Sequence, residues 1–417
     1  MNNLQQDKTS SLRFVVLQMG ARMHYAVPAL LMKAGMLGYL YTDIHAGDTL
    51  VQGFNFWPEF CRPKPVKRLL GRVIPPEIPR SSIVSVPFRS ATESFLKILQ
   101  AKGIPIPEIT FSEELLRQRL LKNKFHNANA LYTFTSLDIE IVRKAKNQGL
   151  VVVHEQMIST NIGYTISEER QLYPGIEKPS PKLELIGQEI QREQEHWSLS
   201  DLILVPSTFV EQVVIQMGSD SQRTVLVPYG INEEWLATQP NPKRGRVLFV
   251  GSVGLGKGNH YLAAATRILA KRGVNCEVRV VGPYDPKVIE HPEFKGPTYV
   301  GQVPRSEVKQ EFLQADIFVL PTLSDSFAIV HLEALACGVP VITTPNCGSV
   351  VRDGIEGFIV PIRDAEALAD RMEQLLTDDK LRQQMSEQAR QRARDFTWEK
   401  YQDRLIDALQ RLEPKIQ

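Results

Sequence analysis

Cysteine is scarce: there are four in 417 residues, Cys61, Cys276, Cys337 and Cys347, scattered without the paired spacing of a metal site. Nothing in that spacing demands a disulfide, and Cys276 and Cys337 fall in apolar patterns that suit small core residues. Long apolar runs are missing as well. No stretch approaches the ~18 residues needed to cross a bilayer, and the polar segment 1–11 lacks the apolar core of a signal peptide. Charge of one sign is also absent in bulk: the formal net charge is +2. That argues against a dedicated nucleic-acid binder, although a local basic patch can still matter. On these absences the chain reads as cytoplasmic.

What is present is ordinary globular material, 43% hydrophobic and 23% charged, long enough for two cores of similar size. Short apolar runs ending in turn residues predict strands at 14–17, 37–41, 83–86, 131–134, 150–153, 202–206 and 225–227. A second series follows at 246–250, 276–281, 299–303, 316–320, 339–343 and 357–360. Helix-period segments lie between them, including 91–102, 137–146, 183–196, 259–271 and 306–313. Three helices, 364–375, 379–392 and 397–412, close the chain, while 158–180 reads as irregular. The Pro- and Lys/Arg-bearing segment 239–245 is an exposed linker and marks the domain boundary.

One stretch organises the second half. After the apolar run 316–320 and Pro321, the turn residues Ser324, Asp325 and Ser326 lead into a helix that Gly338 and Pro340 stop. Backbone N–H groups of Phe327, Ala328, Ile329 and Val330 would open that helix at the carboxyl end of the sheet, a good place to hold a phosphate. Asp325 and Glu333 flank them. Carboxylates repel phosphate, so these two should serve hydroxyls of a sugar or ribose. The alternative is a capping Asp325 and a solvent-facing Glu333.

The turn Gly251-Ser252-Val253-Gly254-Leu255-Gly256-Lys257-Gly258 follows the strand at 246–250. From Gly251 to Lys257 it has the spacing of a triphosphate-binding loop, but Gly258 stands where Ser or Thr would ligate magnesium. No second metal ligand follows, so the ATPase and GTPase readings fail. The glycine spacing is also wrong for a dinucleotide fingerprint. What survives is a phosphate-holding turn in which Lys257 neutralises a diphosphate and the glycines permit close approach. The strand end at 299–303, with Val303, offers backbone groups to the edge of a base.

In the first half, Gly20 at a strand-to-helix turn lets backbone approach a ligand, with Ala21 and Arg22 beside it; a plain turn is the alternative. Arg62, Lys64, Lys67, Arg68 and Arg72 form a basic cluster near Phe54, Trp57 and Phe60. It can meet an anionic membrane surface or acceptor, or be an ordinary solvated face. His154 ends the strand at 150–153, where it can donate to a sugar hydroxyl or serve only as a hydrogen-bonded boundary residue.

Taken together, Val205-Pro206-Ser207, Pro228-Tyr229-Gly230, Phe249-Val250-Gly251 through Lys257-Gly258, and Asp325-(seven residues)-Glu333 before Ala334-Leu335-Ala336-Cys337-Gly338-Val339-Pro340 carry a resemblance. From about residue 201 to 398 the chain closely resembles the large retaining GT-B glycosyltransferase family 4, the "glycosyl transferases group 1" type. The resemblance is weaker before that. It implies an α/β fold of two Rossmann-like domains facing across a cleft. Residues 1–235 would form the acceptor-side domain, 236–395 the nucleotide-sugar-binding domain, and 396–417 a helix packing back toward the first. It implies that Glu333 holds the donor ribose and that Lys257 contacts the diphosphate. Phe327, Ala328, Ile329 and Val330 would supply backbone donors, Gly20 and Ala21 the amino-terminal glycine loop, and His154 a contact to the transferred hexose. It implies no cofactor, a metal-independent same-face transfer from a nucleotide sugar, and a saccharide, lipid-linked or small-molecule acceptor. The residue inventory agrees in lacking the flanking carboxylate pair that hydrolysis would need.

Three departures stand out. Asp325 replaces a Glu, Ser252 stands where many relatives carry an Arg beside the lysine, and Ser326 and Ala328 replace glycines around Phe327. Arg22 can restore some of that positive charge. The expectation is a cytoplasmic retaining hexosyltransferase of polysaccharide-building type, with peripheral membrane contact through 62–72 and no nucleic-acid partner. The alternatives are a non-catalytic nucleotide-sugar-binding protein of this fold, or an epimerase or phosphorylase built on it.

Overall fold

The computed structural model describes residues 11–53, 58, 62, 64–86, 111–135, 138–180 and 182–412. It contains two parallel sheets. The strands of the first are β1 (Phe14–Leu17), β2 (Leu37–Thr42), β3 (Ile83–Ser85), β4 (Ala130–Phe134), β5 (Val151–Glu155), β6 (Leu202–Val205) and β7 (Thr224–Leu226). Their order is β3-β2-β1-β4-β5-β6-β7. The second sheet holds β8 (Arg246–Val250), β9 (Glu277–Val281), β10 (Thr298–Gly301), β11 (Ile317–Leu320), β12 (Val341–Thr343) and β13 (Gly357–Ile359), ordered β10-β9-β8-β11-β12-β13. All five pairings of the second sheet are parallel. This is the two-Rossmann α/β make-up of the GT-B fold that the sequence predicts.

The chain parts into two compact units: 1–155 with 195–204 and 406–417, and 156–194 with 205–405. In the second unit β11 is buried along its whole length. Helices cover both faces of such a sheet, which is why its strands read as unbroken apolar runs rather than alternating ones. Leu262 and Leu269 of helix Asn259–Lys271, and Leu368, Met372 and Leu375 of helix Ala365–Thr377, pack with Val247, Phe249, Phe318 and Ile342 in one core. Local caps fix the helix starts. Asp364 accepts from the Ala367 N–H at 2.8 Å, and Ser207 accepts from the Val210 N–H at 3.2 Å.

Both sheets reverse their winding beside their first strand, between β1 and β4 and between β8 and β11. Ligands of open α/β sheets bind outside the carboxyl ends at such points. In the second sheet the outgoing loops touch. Leu323 N–H donates to the Gly256 carbonyl at 3.0 Å, as does Thr322 Oγ1 at 3.0 Å. Gly258 adopts φ +69°, and a Cβ there would stand 1.9 Å from the Pro321 carbonyl oxygen.

The expected strands and long helices are found within a few residues, and Cys337 is a buried free thiol as expected. The helix expected at 91–102 lies outside the described residues. One correction concerns 158–180: Ile162–Leu172 is helical. Ile162 and Ile166 stand at helical spacing and Pro174-Gly175 supply a stop, but the interspersed Glu, Arg and Ser masked the period. A second is smaller: β10 ends at Gly301, so Val303 lies beyond the strand, packed against the core.

Gly354 also has a left-handed backbone, φ +75°, but open space where a Cβ would go. Gly354→Ala should therefore lose only the conformational cost, about 1 kcal/mol. Gly258→Ala adds a backbone clash and should lose upwards of about 3 kcal/mol. Urea unfolding of the two variants separates them; equal losses would mean the loops are not packed as described.

Candidate functional site in the second unit

Loop 251–258 and loop 321–328 line a cavity of about 470 Å³ at the switch point, together with residues of 157–177 and Tyr229. Its polar lining is Arg170, Glu177, Ser252, Lys257, Ser324, Asp325 and Ser326. Tyr229 and Phe327 meet edge to face on its apolar side, ring centroids 5.2 Å apart. Lys257 and Asp325 form an ion pair here. Asp325 thus serves the lysine, and the cap position of the following helix is Ala328, without a side-chain cap. The capping alternative for Asp325 falls.

Ser326 is held from three sides. Its Oγ accepts from the Ser159 N–H at 2.6 Å, and its carbonyl accepts from Ser207 Oγ at 2.6 Å. Gly348, at φ +56°, lets the 345–348 turn close onto that carbonyl, 2.1 Å from where a Cβ would stand. A serine in place of glycine is therefore a tie, not mere tolerance. Of the four backbone donors expected to face a phosphate, that of Ile329 is engaged within the turn, donating to the Phe327 carbonyl at 3.0 Å.

Glu333 sits on helix Ile329–Ala336 and is only 1% exposed, which removes the solvent-facing alternative. Burial pushes its carboxyl above the usual range, and the guanidinium of Arg305 partly opposes that. Arg305 pairs with Oε1, whereas Oε2 has no hydrogen-bond partner among the described residues. A buried acceptor left open is costly unless a ligand fills it. Arg305 itself is exposed, its guanidinium 5.5 Å from the Trp235 ring centroid. Beside this helix start, His331 is wholly buried, with Cys347 Sγ 3.7 Å from Nε2. Burial, helped by Lys257, pushes its pKa down to about 3, so it is neutral at pH 7.

Behind the Lys257 loop, Glu169 is fully buried. Its Oε1 lies 2.8 Å from His260 Nε2 and accepts from the Tyr261 hydroxyl at 2.8 Å, and Oε2 accepts from Arg363 Nε at 2.7 Å. Glu177 Oε1 accepts from the Leu255 N–H at 2.7 Å. Helix Ile162–Leu172 and the segment after it thus brace the glycine loop. These residues went unread because their roles depend on contacts across 78 to 194 positions of chain.

In the first unit, Gly20 has φ +73° and donates its N–H to Asp43 Oδ1 at 2.9 Å, while Asp43 Oδ2 accepts from Arg72 at 2.7 Å. So Arg72, one of the predicted basic cluster, is part of an ion pair. The side chains of Lys64 and Arg68 lie outside the described residues. Ala21 and Arg22 lead into a turn whose Met23, His24 and Tyr25 are all left-handed, at φ 44°, 53° and 60°. His154 is fully buried on β5, its Nδ1 3.4 Å from Thr133 Oγ1 and its ring stacked on His196 at 5.1 Å. Among the described residues, no group of three or more His, Cys, Asp or Glu is placed to hold a metal ion, and no helix is long and apolar enough to cross a membrane.

The fold, with this cavity at the switch point of its second sheet, is of the GT-B class, and comparison with known proteins agrees. Residues 232–392 match the family described as glycosyl transferases group 1. The chain is 32% identical over 174 residues to D-inositol 3-phosphate glycosyltransferase of Corynebacterium urealyticum, covering 38% of this chain and 41% of that one. It is 31% identical over 151 residues to the capsular polysaccharide biosynthesis glycosyltransferase CapM of Staphylococcus aureus, covering 34% and 40%. The chain thus spans about two fifths of the length of these two curated relatives. Whole-chain likeness is structural. Sucrose-phosphate synthase of Thermosynechococcus elongatus superposes with TM-score 0.63 at 18% identity, covering 96% and 99% of the two chains. HepE of Anabaena, solved with UDP, gives 0.63 at 13% identity, covering 96% and 100%.

Protonation of Glu169 would undo its network. Burial raises its pKa, but donation from His260, Tyr261 and Arg363 outweighs that and the net shift is downward from 4.5. A lowered carboxyl stabilises the fold above the unfolded value and loses that contribution as pH falls through the folded one. Glu169→Gln should cost about 2–4 kcal/mol at pH 7. The gap to wild type should close as pH falls below 4.5 in denaturant titrations; a pH-independent gap would contradict this.

Proposed function

We propose that this protein is a retaining glycosyltransferase that moves a hexose from a nucleotide sugar to a saccharide, lipid-linked or small-molecule acceptor, without a metal ion. The observation that carries the reading is Glu333: a buried carboxylate on the helix that follows the Asp325 loop, with one oxygen left without a hydrogen-bond partner among the described residues. That is an acceptor for a ribose hydroxyl. Support comes from the match of 232–392 to a glycosyltransferase family and from relatives named for transfer to inositol phosphate and for capsule synthesis.

The chemistry then runs as follows. The bond between the anomeric carbon and the diphosphate oxygen breaks, and the leaving oxygen takes on negative charge. Lys257 and the backbone N–H groups of Phe327, Ala328 and Val330 stabilise that charge, which favours the transition state over the ground state. The acceptor hydroxyl forms its bond on the face the diphosphate leaves, and its proton passes to the departing phosphate oxygen. Anomeric configuration is kept. His154 serves the transferred hexose, Gly20 and Ala21 approach the diphosphate, and Val303 lies near the base. The first unit and its 48–80 segment serve the acceptor, with Arg62, Lys67 and neighbours offering contact to an anionic membrane face from the cytoplasmic side.

Binding of UDP, GDP and ADP, measured by calorimetry, tests the donor half directly. One nucleoside diphosphate should bind, and Lys257→Ala should weaken it about tenfold or more. Glu333→Gln should weaken it as well and erase the preference for ribose over 2′,3′-dideoxyribose. Because the ionised carboxylate is the acceptor and its pKa is raised, affinity should fall with decreasing pH at a midpoint above 4.5. His154→Ala should lower transfer far more than nucleotide binding. Full transfer activity in both Lys257→Ala and His154→Ala would sink the assignment.

A further inference from the structure

We propose that Arg170 is a second diphosphate-binding residue, and that Glu177 occupies its anion site until the diphosphate displaces it. The proposal rests on the nucleotide-sugar reading above and extends it to residues outside the loops already described.

The cavity lining holds two cations, Lys257 and Arg170, and each faces a carboxylate. The Lys257–Asp325 pair has no net charge. A diphosphate is strongly anionic, with negative charge on both of its phosphates at pH 7. One lysine already matched by an aspartate is a weak counter-charge for it. Ser252, exposed on the same lining, adds none.

Glu177 shows where more is available. Its Oε1 accepts from the Leu255 N–H at 2.7 Å, inside the glycine loop, while Oε2 accepts from Arg170 Nε at 3.0 Å. A backbone donor of the loop and a guanidinium thus converge on one anionic group. That donor set also fits a phosphate oxygen pair, because planar guanidinium geometry suits carboxylate and phosphate alike. The approach is possible because residue 254 is glycine: a Cβ there would lie 2.6 Å from Glu177 Oε1. Arg170 Nη1 has a further tie to Ser180 Oγ at 3.1 Å, which holds the guanidinium in place when its carboxylate leaves. Glu177 follows Pro174 and Gly175 on a short turn and is partly exposed, so it can turn outward without disturbing the helix. The exchange replaces one anion by another on the same donors, and so leaves no buried donor unpaired.

Calorimetry compares whichever of UDP, GDP and ADP binds wild type with its monophosphate, across Arg170→Gln, Glu177→Gln, the double variant and Lys257→Ala. Arg170→Gln should weaken the diphosphate about tenfold and the monophosphate much less. Glu177→Gln removes a competing anion and should tighten the diphosphate about three- to tenfold. The double variant should resemble Arg170→Gln. Should Arg170→Gln fail to fold, the sign of the Glu177→Gln effect decides. Weakened binding by Glu177→Gln, or equal losses of mono- and diphosphate in Arg170→Gln, would mean the pair only supports the loop and would overturn the proposal. Loss in Lys257→Ala with neutral Arg170 and Glu177 variants overturns it while the donor reading stands. No nucleotide binding to wild type or to Glu177→Gln overturns both, whereas binding to Glu177→Gln alone supports displacement.

Discussion

Two loops leave adjacent strands β8 and β11 and are pressed together, and the second unit's chemistry depends on that closeness. Gly258 makes it possible, being both left-handed and in contact with the Pro321 carbonyl, where no side chain fits. Gly282 repeats the arrangement one strand over, with a would-be Cβ 1.9 Å from the Gly251 carbonyl oxygen. With the loops in contact, Lys257 reaches Asp325, and helix Ile329–Ala336 starts beside the lysine instead of a turn away. A parallel sheet brings this about because its switch point sends neighbouring outgoing loops to opposite faces and leaves a crevice between their bases.

Charge is balanced group by group around that crevice. Lys257 faces Asp325, Arg170 faces Glu177, Arg305 faces Glu333, and Arg363 faces Glu169. The pairs differ in burial, and burial sets their worth. Glu169 is sealed and takes three donors, so its network is structural and its carboxyl is held ionised. Glu333 is sealed, so burial raises its carboxyl against the opposing Arg305, and one oxygen has no hydrogen-bond partner among the described residues. The pairs lining the cavity are partly solvated, and such pairs contribute little to stability and exchange partners readily.

The departures of this chain from the pattern it resembles acquire physical content in that setting. Ser326 exchanges the freedom of glycine for a hydroxyl that accepts from Ser159, tying 157–177 to the loop after β11. Asp325, one methylene shorter than glutamate, lies against Lys257. Ser252 brings no cation to the cavity lining, on which Arg170 of helix Ile162–Leu172 also lies.

Local chemistry let the sequence alone determine a good deal. Apolar runs of four or five residues and helix-period segments placed nearly all strands and the long helices, since burial on both sheet faces writes itself into consecutive positions. Gly-rich turns at 251–258 and the Asp325–Glu333 stretch pointed to the crevice before any coordinates, because close approach needs glycine and helix starts need particular neighbours. Only the tertiary structure decided what the long charged side chains do. Glu333 could be exposed or buried from its helix position, and the fold buried it. Helix Ile162–Leu172 was hidden because its packed face is mixed, Ile166 meeting Gly256 of the glycine loop and Glu169 meeting His260, Tyr261 and Arg363, without an apolar stripe. The partners of Glu169, and the contact of Glu177 with Leu255, follow from distances across the folded chain, and no local spacing encodes those.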